Sequence, residues 1–235
     1  MRGIIPVLLI CAAPVSAQNT LTRFPEKGPA AIVKAKPGIA PELQTRQVMD
    51  QFAKCLVTTQ KRPVDRLLTM PAIGPESNAW SKGADLSNCL KPADYGEVRL
   101  RFRTVLLRGA VFKTLYAREF AERDLATTIT AAAPPMPLPD WFADLANAQG
   151  IEPAATQNYV ALRALGACVV QAKPEPVHRL LRAEAGSDQE NAAIVDVTPA
   201  ISGCLPNGET LRFSKQVLIG VIAETAYRMA QMRTP

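Results

Sequence analysis

The chain of 235 residues holds a single histidine, His178. Histidine is the side chain that changes charge near neutral pH, so its scarcity narrows the chemistry available. Serine–histidine and cysteine–histidine nucleophile schemes would both rest on this one ring, and no Gly-x-Ser-x-Gly turn accompanies it. The sequence also lacks a P-loop, a Gly-x-Gly-x-x-Gly turn and a His-Glu-x-x-His helix. No Cys-x-x-Cys occurs, so the close cysteine pairs of zinc sites and redox-active dithiols are missing. Beyond the N-terminal segment no apolar run approaches the roughly twenty residues that a membrane-spanning helix needs. No Asn-x-Ser/Thr acceptor is present, which leaves a eukaryotic secretory route without support. On these grounds no catalytic residue, cofactor site or metal-ligand set can be named.

What is present begins with an export signal. Arg2 precedes an apolar run from Gly3 to Ala13, and Val15-Ser16-Ala17 offers small residues for cleavage. Residues 1–17 therefore read as a secretory signal peptide, with the mature chain starting near Gln18. Cys11, preceded by the bulky Ile10, belongs to the discarded segment. Cleavage removes one basic residue, Arg2, and leaves 26 basic against 21 acidic side chains, a net charge of about +5. That mild basicity alone is no case for nucleic acid, which fits poorly with export. The expected location is the bacterial periplasm or exterior, in soluble form and with no transmembrane segment.

An internal repeat organises the rest. Residues 55–68 read CLVTTQKRPVDRLL and residues 168–181 read CVVQAKPEPVHRLL, at an offset of 113. Ser87-Asn88-Cys89-Leu90 answers Ser202-Gly203-Cys204-Leu205 at an offset of 115. LRFRTVLLRGAVFKTLY at 100–116 then matches LRFSKQVLIGVIAETAY at 211–227, at an offset of 111. The layout predicted is a leader rich in proline and lysine (18–41), a first helical repeat (42–124), a proline-rich connection (125–156) and a second repeat (157–235). One short helix, Asp140–Asn147, is expected within the connection.

Each unit reads as about four helices, giving an all-α fold. Met49, Phe52, Cys55 and Leu56 recur at helical spacing, as do Leu162, Leu165, Cys168 and Val169. A short helix follows, with Pro63 or Pro176 near its first turn. A third segment spans Ser77–Asn88 or Ser187–Gly203. The last helix, Val105–Ala117 or Val217–Met229, is apolar almost all round and should lie centrally. Ser214 is its expected N-cap in the second copy, and Arg103 or Thr104 holds that place in the first. Gly109 and Gly220 sit inside it, where glycine costs about 1 kcal/mol against alanine, so another helix should approach closely there.

Four cysteines remain after cleavage, and sequence alone permits three pairings. The duplication favours one bridge per unit: Cys55 with Cys89 and Cys168 with Cys204. A zinc site built from all four thiolates is the weaker alternative.

Other candidate residues divide into framework and surface. Arg66 and Arg179, Arg101 and Arg212, and Tyr116 and Tyr227 are shared by both copies and read as framework, with Glu97 and Glu209 placed to pair with Arg101 and Arg212. The acidic group Glu119, Glu122 and Asp124 has no second-copy counterpart and reads as solvated. Arg99, Arg101, Arg103 and Arg108 form a basic run special to the first copy. It is a candidate contact for an anionic envelope polymer or lipid head group.

The succession of a helix cysteine, an R-x-L-L-like segment, a second cysteine, Leu-Arg-Phe, glycine and tyrosine resembles a repeat of exported bacterial proteins of uncharacterised function. The resemblance covers residues 45–120 and 158–230, through Cys55, Cys89, Leu100, Arg101, Phe102, Gly109, Tyr116 and their partners. It implies an all-α repeat fold and no activity. The functional expectation is non-catalytic binding or scaffolding in the cell envelope, with an envelope protein or an anionic polymer as partner. The alternative is a small hydrolase or transferase acting on envelope polymers.

Overall fold

The computed structural model describes residues 38–70, 79–89, 103–120, 153–205 and 214–232, the strands Ile32–Val33 and Val98–Arg99, and positions 122, 138 and 142. The expected signal peptide, most of the leader and most of the connection lie outside the described residues, as do Glu97, Arg101, Glu209 and Arg212. Of the helix expected at Asp140–Asn147, only Phe142 is described.

The class is all-α. Helix α1 (Pro41–Thr59) opens on a proline whose missing N–H removes no helical bond, with Glu42 near the positive end of the helix dipole. Val48, Met49, Phe52, Ala53 and Leu56 line its buried face. At its end the hydroxyls of Thr58 and Thr59 donate back to the carbonyls of Lys54 and Cys55, at 2.8 and 2.9 Å. The chain turns at Gln60 into the nine-residue α2 (Lys61–Thr69), which buries Pro63, Val64 and Leu67. The same corner recurs in the second half. Helix α4 (Pro153–Ala172) turns at Lys173 into α5 (Pro174–Arg182), also nine residues, which buries Val177, Leu180 and Leu181.

The third segments differ. In the second half it is the 16-residue helix α6 (Asp188–Gly203), capped by Ser187, whose hydroxyl accepts from the Glu190 N–H. In the first half the described part holds only two single-turn 3₁₀ segments, Ala79–Ser81 and Ser87–Cys89. Among the described residues the first half thus holds three α-helices and the second four, in line with about four per unit. Within 79–89, Gly83 stands at φ +73°, a conformation that interrupts a helical course.

Helices α3 (Thr104–Glu119) and α7 (Lys215–Gln231) lie at the centre and make the largest helix–helix contact among the described residues. Ser214 caps α7 by accepting from the Val217 N–H at 3.3 Å, whereas Arg103 begins α3 with no side-chain cap. A Cβ placed on Gly109 would sit 2.6 Å from the Gly220 Cα, and one on Gly220 would sit 3.0 Å from the Gly109 Cα. The two helices touch backbone to backbone at this point. That is the physical reason both copies carry a residue that weakens an isolated helix.

The halves share a single core. Met49, Phe52 and Leu56 of α1, Leu107, Val111 and Phe112 of α3, Val169 of α4, and Ile222 and Ala226 of α7 belong to one buried cluster. At about 1.5–3 kcal/mol for each fully buried large side chain, this shared cluster binds the copies into one body. The cysteines pair within each half, Cys55 with Cys89 and Cys168 with Cys204, with Cα–Cα distances of 5.4 and 5.8 Å. Both pairings match the expectation from the repeat, and the sulfurs so joined cannot serve as thiolate ligands. Ile32 pairs with Arg99 and Val33 with Val98 in a minimal antiparallel ladder, the only strand pairing among the described residues.

Candidate functional site

Of the basic run, the side chains of Arg103 and Arg108 are described. Arg108 is the largest fully buried side chain, at 1% exposure. Its Nε and one terminal nitrogen donate to the two Glu224 carboxylate oxygens at 3.1 and 2.9 Å. The other terminal nitrogen donates to the carbonyls of Leu67 and Met70, at 2.7 and 3.0 Å, where α2 ends. A guanidinium with matched charge and with its N–H groups in use belongs to the interior, which corrects its assignment as a surface anion contact. Arg103 is half-buried at the start of α3, Arg99 lies in the strand with its side chain undescribed, and Arg101 is outside the described residues.

Two buried carboxylates knit the halves together. Glu224 on α7 holds Arg108 of α3 and, at 3.0 Å, Arg228 one turn further on. Burial alone would push its carboxyl up, but Arg108 and then Arg228 outweigh burial and hold it below the usual range. Glu190, fully buried at the start of α6, pairs with Arg46 of α1 and with Lys215 of α7, the latter at 3.1 Å. Burial again opposes ionisation, and the Gly186 N–H, Arg46 and Lys215 together reverse it. Both groups remain ionised, the opposite of what a general acid needs.

The repeated tyrosines each reach into the other half. Tyr116 of α3 meets His178 Nδ1 at 2.9 Å, and Tyr227 of α7 donates to Glu119 at 2.8 Å. Burial pushes both phenols well up, with the charges of Glu175 and Glu119 respectively adding to it. His178 is thus buried and satisfied. Its other ring nitrogen lies 3.3 Å from Arg182. Because a guanidinium only donates, this contact sets Nε2 as acceptor and leaves Nδ1–H to face Tyr116. Glu119 is engaged by Tyr227 and Arg118, Glu122 is exposed, and Asp124 lies outside the described residues. Arg66 donates to the carbonyls of Trp80 and Lys82 at 3.0 and 2.8 Å and so fixes the chain after α2. Its counterpart Arg179 instead pairs with Asp196 on α6 at 2.7 Å.

Two concavities are lined by described residues. One is a narrow apolar slot of about 40 Å³ beside the glycine contact, bordered by Val105, Leu162, Val217 and Val221, with Tyr159 and Arg163 at its edge. It has room for two or three waters at most. The other is an open polar cleft of about 280 Å³, close to the size of small-ligand pockets. One wall is the stripe Gln47, Asp50, Gln51 and Lys54 of α1 with Lys113 and Thr114 of α3; the other is the turn Leu181–Ala185 after α5. Gln47 ties the walls together by donating to the Ala185 carbonyl at 3.2 Å. Gly186, at φ +83°, lets the chain turn back there into α6.

Sequence reasoning found neither the cleft nor Glu190. The cleft is built from three segments far apart in the chain; for Glu190 a signal was there, since Ser187-x-x-Glu190 has capping-box spacing. Among the described residues no three His, Cys, Asp or Glu side chains gather as a metal site requires, and no helix is long and apolar enough to cross a membrane. No protein-family model matches the chain, and no curated protein and no solved structure shows significant similarity to it.

Proposed function

We propose that the chain is a non-catalytic binding protein of the bacterial cell envelope, and that it takes its ligand in the polar cleft between the α1–α3 wall and the 181–185 turn. One observation carries this reading: the cleft is an open polar concavity that both halves build. The buried charges elsewhere support it, because Arg108, Glu224, Arg46 and Glu190 are engaged with one another and hold the fold. Export is supported by the N-terminal pattern of residues 1–17 and by the two cysteine pairs, which persist in oxidising compartments. The resemblance to exported bacterial repeat proteins agrees with both points.

The test is amide hydrogen exchange on the mature, disulfide-bonded protein with and without a small-molecule extract of its native envelope. Binding in the cleft slows exchange in 47–54 and 181–185 while the central helix α7 stays unchanged. Equal exchange in both samples removes the proposal. Turnover of any extract component that depended on cleft residues would replace it with an enzyme.

A further inference from the structure

We infer that the cleft is selective for a small zwitterion, a molecule of about dipeptide size that carries one amine and one carboxylate. This rests on the binding reading above and specifies its ligand class. The inference follows from which polar groups around the cleft are already engaged. Lys113 and Asp50 neutralise each other at 2.8 Å. Gln47 is held by the Ala185 carbonyl, and the Thr114 hydroxyl donates to the Ala110 carbonyl at 2.9 Å.

Three charged ends are left over. The Lys54 ammonium on α1 has no hydrogen bond or ion pair among the described residues, and the Glu184 carboxylate on the facing turn has none either. Arg182 has one contact, at 3.3 Å to His178, which is itself fixed by Tyr116. The remaining N–H groups of Arg182 are free among the described residues. The cleft thus keeps unmatched charges of both signs, with an excess of one cation.

Their placement separates the signs. Gln47 touches the turn that carries Glu184, and Lys54 lies seven residues further along the same helix, about 10 Å along its axis. A ligand amine directed at Glu184 and a ligand carboxylate directed at Lys54 on the facing wall would satisfy both ends. A simple anion would meet Glu184 unfavourably, and a simple cation would meet Lys54 and Arg182. About 280 Å³ accommodates a dipeptide and excludes a folded partner.

The experiment is calorimetric titration of the mature disulfide-bonded protein with alanyl-alanine, its N-acetyl form and its C-terminal amide. The free dipeptide should bind at least tenfold more tightly than either capped form. Lys54→Gln should erase the preference for a free carboxylate, and Glu184→Gln the preference for a free amine. Both positions are exposed and unpaired, so both variants should keep the wild-type melting temperature. Equal binding of the N-acetyl form would overturn the inference in favour of an anion site. Binding of none of the three, with the envelope extract still protecting 47–54 and 181–185, would sink the zwitterion and leave the binding reading intact. No response to either would sink both.

Discussion

Lys113 and Glu224 stand at matching positions in the two copies, 111 residues apart, yet they carry opposite charges in opposite surroundings. Lys113 reaches Asp50 within its own half, at the edge of the open cleft. Glu224 reaches across to Arg108 of the other half; it is no more buried than Lys113, but Arg108 is fully buried whereas Asp50 is partly exposed. Asp50 in turn matches Arg163 in the repeat, so the charge reversal extends to both partners. Arg163 bonds to Tyr159 at 3.0 Å instead. One framework thus supports two uses of the same position: a cross-brace between the halves and a pair within one half whose carboxylate is partly exposed at the cleft. The comparison teaches that the two halves differ in charge while sharing the glycine contact and the cysteine pairing.

The largest effect should come from the buried brace. Glu224→Ala leaves Arg108 buried without its counter-charge, which costs about 3–5 kcal/mol. Urea denaturation with an unchanged m-value would measure it, and a loss under 1 kcal/mol would mean Arg108 finds another partner. The same pair predicts the acid response. Both Glu224 and Glu190 have carboxyls held below the usual range in the folded state. Their contribution is complete above the unfolded value near 4.5 and disappears as pH falls through the lower folded values. Stability should therefore drop below about pH 4.5, and the Glu224→Gln variant should show a shallower drop in an acid titration followed by circular dichroism.

The bridges test whether the copies are equivalent. They close loops with sequence separations of 34 and 36, so chain entropy assigns each about 3–4 kcal/mol. Replacing Cys55 and Cys89 by serine should cost nearly the same as replacing Cys168 and Cys204. A loss confined to one pair would show that native packing, which differs between a 3₁₀ turn and α6, decides the outcome. Next in size is the glycine contact. Gly109→Ala forces a backbone shift at 2.6 Å and should cost about 1–3 kcal/mol despite alanine's better helix propensity. Gly220→Ala meets the facing helix at 3.0 Å and should cost less. The reverse order in thermal melts would contradict the geometry.

The features legible in the sequence were those written twice or written locally. Gly109 and Gly220 announced a close helix contact because both copies carry the same unfavourable residue, and the cysteine pairing followed from one matched spacing per unit. Ser214 was legible as a cap because capping is local. Arg108 was not, because its partner lies 116 residues away and neighbouring arginines at 99, 101 and 103 suggested a surface run. The burial of His178 was not legible either, because its partner Tyr116 is fixed only by how α3 meets α5. The third segments show that sequence correspondence does not carry conformation across: 79–89 holds 3₁₀ turns around Gly83 where the second half has α6.

The smallest expected effect is at the rim and sharpens the opening contrast. Lys113→Met keeps the apolar stem packed on α1 and removes only the ammonium. Asp50 is then left at the edge of a hydrated cleft, with its side chain 22% exposed, so water can replace the lost partner. The stability change should be about 1 kcal/mol or less, under a third of that for Glu224→Ala. The variant should nevertheless alter the cleft, because an unpaired Asp50 adds a second acceptor for amines. If Lys113→Met destabilised the fold as much as Glu224→Ala, the rim pair would be a brace as well. The division of labour between the two copies would then fail.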